Sequence, residues 1–204
     1  MENSHTIILD GFLGRPRRWE RLRRLIELRA GPASIFQYES TGLTPIPTLG
    51  QRLIDEIRGR GGRVNLVGFS MGGMVIRAAH LIDPALPTRR AVFMNSPHLG
   101  TWLAHLVPTP GVRQMRPGDP FVKAIADAPW TVPTLTVWNG FDGIILPPRS
   151  TRYRYGGEHV CCPVPLHIWP VWSRTIHRRI ADFLAAPEAD VDCLHHAASR
   201  YNRS

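Results

Sequence analysis

The segment Val64-Asn-Leu-Val-Gly68-Phe-Ser70-Met-Gly72-Gly73-Met-Val-Ile-Arg-Ala-Ala constrains this chain more than any other stretch. An apolar run enters a Gly-x-Ser-x-Gly pentapeptide, and a helical pattern leaves it directly. A strand can turn that sharply into a helix only where side chains are missing. The glycines on either side of Ser70 leave room for the two elements to approach each other. Such a turn lifts the Ser70 hydroxyl clear of a sheet and sets it near a helix N-terminus, whose free amides favour negative charge. The pentapeptide alone can arise by chance; between this strand and this helix, an idle serine in a glycine-rich turn is the weaker reading.

The rest of the chain supplies the matching architecture. Buried-strand patterns fall at 6–9, 33–38, 64–69, 91–95 and 134–138, with a weak one near 151–155; helical patterns fall at 17–29, 48–60, 71–82 and 171–185. Alternation of this kind predicts an α/β fold with a doubly wound, mostly parallel sheet of about six strands covered on both faces. With 204 residues, 43% of them hydrophobic, there is material for one substantial core and not for two ordinary domains. We therefore expect a single domain over 1–186 and a polar tail over 187–204. The stretch 102–130 breaks the alternation, is rich in Pro and Gly and holds a short helical pattern at 120–126; it is expected to form a short mobile flap.

Charge is lopsided, with 25 Lys plus Arg against 16 Asp plus Glu and a net +9, and Lys123 is the single lysine. Arginines concentrate at 15–29, where Trp19, Leu22 and Leu25 or Ile26 recur at helical spacing. An amphipathic helix with a solvated arginine face accounts for this; weak membrane-surface contact is the other reading, and no nucleic-acid module signature accompanies it. The N-terminus lacks the features of a secretory signal, and no 18-residue apolar stretch exists, so the expectation is a soluble, cytoplasmic protein without a transmembrane segment. Cys161, Cys162 and Cys193 form neither a disulfide framework nor a zinc pattern, and the His195-His196 pair lacks ligand spacing; no metal and no cofactor are expected.

Four segments, in this order, resemble the small bacterial lipases and esterases of the α/β-hydrolase superfamily that lack a large cap domain. They are Ile7-Ile-Leu-Asp-Gly-Phe-Leu-Gly14, Gly68-Phe-Ser-Met-Gly-Gly73, Asn95-Ser-Pro-His-Leu-Gly-Thr101 and Trp138-Asn-Gly-Phe-Asp-Gly-Ile-Ile-Leu-Pro147, and the likeness spans about residues 5 to 185. It implies a minimal α/β-hydrolase fold, with Ser70 as nucleophile and an oxyanion hole formed by the amides of Phe12 and Met71. Asp10 stands where the family has histidine. Doubly wound topology independently brings the loops at Gly11 and Ser70 together, if the second strand lies outside the first and the third pairs on its other side.

The elbow architecture orders its residues as serine, acid, histidine. His159, His167, His177 and the tail pair are late enough. His177 lies among arginines on a helical pattern and reads as a solvated surface residue. His167 sits in the loop before the last helix, where the family places its base. Asp142 directly follows the fifth strand and is favoured as the acid over Asp119, Asp127, Glu158 and Asp182, although Asn-Gly and Asp-Gly also mark ordinary turns. His98 precedes the acid and reads as structural or pocket-lining.

Phe12, Leu13, Met71, Leu99, Trp102, Leu103, Ile144 and Ile145 fall on or beside the same loops, so an apolar, substrate-binding pocket for acyl chains is expected. The implied function is hydrolysis of carboxylic esters, whether small-molecule, lipid or polymer. An acyltransferase or thioesterase would use the same residues, and an inactive binding protein on this fold is the non-enzymatic alternative.

Overall fold

The computed structural model describes residues 4–152, 157–162, 164 and 166–187. Six strands, β1 (His5–Leu9), β2 (Ala33–Phe36), β3 (Val64–Phe69), β4 (Thr88–Met94), β5 (Thr134–Asn139) and β6 (Glu158–Cys162), form one parallel sheet in the order β2-β1-β3-β4-β5-β6. The helices are α1 (Glu20–Arg29), α2 (Ile46–Gly59), α3 (Met71–Ile82), α4 (Pro110–Arg113), α5 (Pro120–Asp127), α6 (Trp169–Trp172) and α7 (Arg174–Ala185).

The central strands are mostly apolar because both faces of the sheet are covered. Successive side chains alternate between two cores. Ile7, Leu9, Leu66 and Phe93 join the cluster under α2 and α3, while Ile8, Val67, Phe69, Val92 and Met94 join Leu22, Ile26, Ile176 and Ile180 under α1 and α7. The order reverses at β1, which has β2 on one side and β3 on the other, so the loops after β1 and β3 emerge side by side.

Four expectations are corrected. The sixth strand is β6, not 151–155: residues Pro148–Thr151 form a 3-10 turn, and 153–156 lie outside the described residues. As an edge strand, Glu158–Cys162 buries only part of its side chains, which leaves a faint apolar signal. β4 begins three residues earlier than its apolar run, at Thr88. Arg89 and Arg90 are admitted because their guanidiniums donate to the carbonyls of Leu184, Ala186 and Pro187 at the C-terminal end of α7, where cations are favoured.

His177 is not a solvated residue but 1% exposed, on the same face of α7 as the core residues Ile180, Ala181 and Leu184. Burial, and next the nearby Arg21 guanidinium, push its imidazole below the ordinary histidine range. The stretch 102–130 is a packed layer, not a loose flap. Ala104, Val112, Met115, Phe121, Val122 and Ile125 all belong to the core under α3, and the Arg77 guanidinium donates to the carbonyls of Ile125 and Ala128. Trp102 and Leu106 remain its large exposed apolar side chains. The tail beyond Pro187, with Cys193, His195 and His196, lies outside the described residues.

The junction of β3 and α3 has no spare volume. A Cβ on Gly68 would lie 2.6 Å from Gly73 Cα and 2.7 Å from Gly73 N, both backbone atoms that cannot move aside alone. Gly68→Ala is expected to lower stability by about 1 to 3 kcal/mol, the usual cost of overpacking. A lower denaturant midpoint at unchanged slope is the measurement that checks it.

Candidate active site

Ser70 stands at the end of β3 with φ 51° and ψ −121°, a conformation that L side chains rarely adopt. It is held there by its own amide, which donates to the Met94 carbonyl (2.8 Å), and by the Gly73 amide, which donates to the Ser70 carbonyl (3.1 Å). The loop after β1 presses against it, since a Cβ on Gly11 would come within 2.8 Å of Ser70 Cβ. A Cβ on Gly72 would meet the carbonyl oxygens of Leu9 and Asp10 at 2.6 and 2.5 Å. The backbones around Gly11–Phe12 and Ser70–Met71 therefore share one confined corner.

Asp10 anchors that corner. Its carboxylate accepts from the amides of Gly11 and Arg15 (2.7 Å each) and from Arg18 Nε (2.7 Å), with Arg18 Nη2 closing a second bond to the other oxygen. Its carbonyl accepts the Tyr38 hydroxyl. A buried carboxylate is tolerable when it is bonded on both oxygens and paired with a fork-shaped cation. The residue that departs from the family pattern thus supplies the loop with a different anchor. Arg18 also lies over the Phe69 ring, 5.6 Å from its centroid.

Asp142, fully buried in the loop after β5, accepts on Oδ1 from the amides of Ile144 (2.8 Å) and Ile145 (2.9 Å) and on Oδ2 from His167 Nδ1 (2.6 Å). With the Nδ1 proton committed to the carboxylate, the imidazole keeps its lone pair on Nε2. The ring packs at 5.0 Å on Phe69, the residue before Ser70. Of the three late histidines described, only His167 meets Asp142. His159 lies on β6 at the sheet edge, and His177 is under α1.

Two residues that sequence reasoning did not single out hold the histidine loop. Asn95, at the end of β4, donates from Nδ2 to the His167 carbonyl (2.8 Å), and Asn139, at the end of β5, donates to the Val164 carbonyl (2.6 Å). Both are buried. A buried amide at the end of a central strand is the signal that could have found them, because it must spend its donors on something local. His98 is buried against Phe93, and burial followed by the Arg77 charge push its imidazole well below the ordinary range.

The expected pocket residues divide. Leu13, Leu99, Trp102 and Ile144 are exposed, with Trp102 at 60%, whereas the side chains of Met71 and Ile145 are in the core and Phe12 is half-buried against it. The loops carrying Leu99–Trp102 and Ile144–Leu146 are tied together: Trp102 N donates to the Leu146 carbonyl (2.9 Å), and Thr101 Oγ1 both donates to the Ile144 carbonyl (2.9 Å) and accepts from Leu146 N (3.0 Å). Among the described residues there is no grouping of three metal-ligating side chains, and no helix is long and apolar enough to cross a membrane.

A parallel sheet of this order with a serine at the β3–α3 turn is the α/β-hydrolase fold, and comparison of whole structures bears that out. The mature lipase BlEst2 of Bacillus licheniformis superposes with a TM-score of 0.76 at 15% identity over 90% of this chain and 93% of that one. A monoacylglycerol lipase of Paleococcus ferrophilus gives 0.69 at 16% over 89% and 93%. Lipase B of Aspergillus fumigatus gives 0.79 at 15% over 90% of this chain, which spans about half (52%) of that protein. No protein-family model and no curated protein sequence matches the chain.

The Asp10 anchor can be tested alone. Arg18→Gln leaves a buried carboxylate with two backbone donors and no cation. Since Arg18 is itself partly exposed, the expected loss is about 2 kcal/mol, below the range for a fully buried pair. Faster amide hydrogen exchange at Gly11 and Arg15 should accompany the lower denaturation midpoint.

Proposed function

We propose that the protein is a serine-type carboxylic ester hydrolase in which Ser70 is the nucleophile, His167 the general base and acid, and Asp142 the carboxylate that orients it. The observation that carries the reading is the 2.6 Å bond between His167 Nδ1 and a fully buried Asp142, beside a serine held in a strained strand-to-helix turn. In the reaction, Ser70 Oγ attacks the ester carbonyl carbon as His167 Nε2 takes its proton; the carbonyl π electrons move onto oxygen. The amides of Phe12 and Met71 receive that oxyanion, each donor worth about 3 kcal/mol. Collapse expels the alcohol, which leaves with the imidazolium proton. Water activated by the same imidazole then attacks the acyl-enzyme and releases the acid. No step uses a metal or an organic cofactor.

The neighbours named lipase, monoacylglycerol lipase and carboxylesterase support an ester as substrate. The exposed apolar group Leu13, Leu99, Trp102 and Ile144 supports an acyl chain as the part recognised.

Ser70→Ala and His167→Ala should each lower p-nitrophenyl ester turnover by about 10⁴-fold or more, and Asp142→Asn by somewhat less, with thermal midpoints little changed. A fluorophosphonate probe should label the parent protein and not Ser70→Ala. Undiminished hydrolysis by Ser70→Ala would sink the proposal. Trp102→Ala is expected to alter the preference between short and long acyl chains without lowering stability, because the side chain is already mostly in water; kcat/KM across a chain-length series reads this out.

A further inference from the structure

Between α1 and α7 lies a cavity of about 290 Å³. Arg21 and Arg24 reach it from α1 with Leu25 and Leu28, and Arg174 and Arg178 reach it from α7 with the buried His177. The spacing is that of two facing stripes: 21, 24, 25 and 28 share one face of α1, and 174, 177 and 178 share one face of α7. Four exposed arginines therefore line one concavity at the surface.

Like charges at this spacing repel one another, and carboxylates placed among them would relieve the repulsion. Of the carboxylates on the two helices, Glu20 alone reaches a cavity arginine, Arg24. Glu20 bonds Arg23 and Arg24, Glu27 bonds Arg23, and Asp182 bonds Arg29. Arg24 keeps its Glu20 partner, whereas Arg21, Arg174 and Arg178 pair with no carboxylate or carbonyl among the described residues. Arg29 and Arg179, on the same two helices outside the cavity, are paired with Asp182 and Glu158. Three arginines without an anionic partner thus line one concavity.

We propose that this cavity is a binding site for a phosphate-bearing ligand, its phosphate held by Arg21, Arg174 and Arg178 and its apolar portion laid on Leu25 and Leu28. Guanidinium forks match phosphate oxygens two at a time, which favours phosphate over a scattered set of single charges. The volume stands at the small end of ligand sites and suits a compact phosphoester. The same phosphate chemistry can arrive on a soluble organic phosphate or on a phospholipid headgroup. The assignment is independent of the catalytic reading, since the cavity shares no residue with Ser70, Asp142 or His167.

Titration calorimetry of the full chain with inorganic pyrophosphate, at fixed ionic strength, tests the site. Saturable one-to-one binding is expected, weakened at least about tenfold in Arg174→Gln/Arg178→Gln, which loses charge-assisted hydrogen bonds. Arg52→Gln/Arg179→Gln removes the same charge outside the cavity and should bind like the parent; all these side chains are exposed, and circular dichroism verifies the fold. Co-sedimentation with phosphatidylcholine vesicles containing phosphatidic acid separates the sources. Pyrophosphate binding alone assigns a soluble phosphate, vesicle binding alone assigns a headgroup, and binding to both supports the shared chemistry, provided Arg174→Gln/Arg178→Gln weakens it at least about tenfold in each case. Binding to neither, equal weakening by the two double variants, or citrate binding as tightly as pyrophosphate would overturn the proposal.

Discussion

The close approach of β3 and α3 at Ser70 is the constraint from which the rest of the structure follows. A serine at φ 51° costs on the order of 1 to 3 kcal/mol relative to relaxed backbone, and it persists only where its surroundings leave no alternative. Here they leave none. Gly68 touches Gly73, Gly72 lies under the carbonyls of Leu9 and Asp10, and a Cβ on Gly73 would collide with Ser96. The same contacts that hold the serine upright set β1 and β4 against the turn. Assembly of the sheet centre and placement of the hydroxyl are consequently one event.

Around that fixed point, buried polar groups aim the other loops, where an apolar core could not. Hydrophobic packing is non-directional, so it can bury a loop without orienting it. Asp10 with Arg18 orients the loop after β1. Asn95 and Asn139 orient the loop that carries His167, and Asp142 takes two amides of its own loop while holding the imidazole. Asp10, Asn95, Asn139 and Asp142 sit at or shortly beyond the carboxyl end of a strand, where the sheet is stiff. The anchoring is as stiff as the strands behind it.

Much of this was legible in the sequence, for physical reasons that also explain the exceptions. Five strands and the four long helices have strong apolar periods, and the glycine-flanked serine admits one local geometry. Chain order and the family resemblance pointed to Asp142 and His167, which the structure brings together at 2.6 Å. What escaped were features set by tertiary partners. β6 is an edge strand with little apolar content, and the start of β4 was hidden by arginines whose charges are met by carbonyls of α7, 94 to 97 residues away. His177 was masked by the arginines flanking it, since a residue between charges can still face inward on a helix. The 102–130 stretch lacks period because its buried side chains come from short turns and α5, and irregular backbone packs as closely as regular backbone when its polar groups find partners.

That last feature bears on access to the serine. A lid needs an element of low local stability that exchanges one packing for another. Here the insertion is pinned at both ends: Gly111 N donates to the Gly42 carbonyl, Thr101 and Trp102 bond the loop after β5, and Phe121, Val122 and Ile125 lie in the main core. Opening it would expose core side chains, at about 25 cal/mol for each Å² of apolar surface uncovered. The exposed residues Leu13, Leu99, Trp102 and Ile144 are carried by loops that are themselves bonded down, so they form a standing apolar rim. On the proposed reading, selection among esters then falls to the shape and size of that rim and not to a conformational gate.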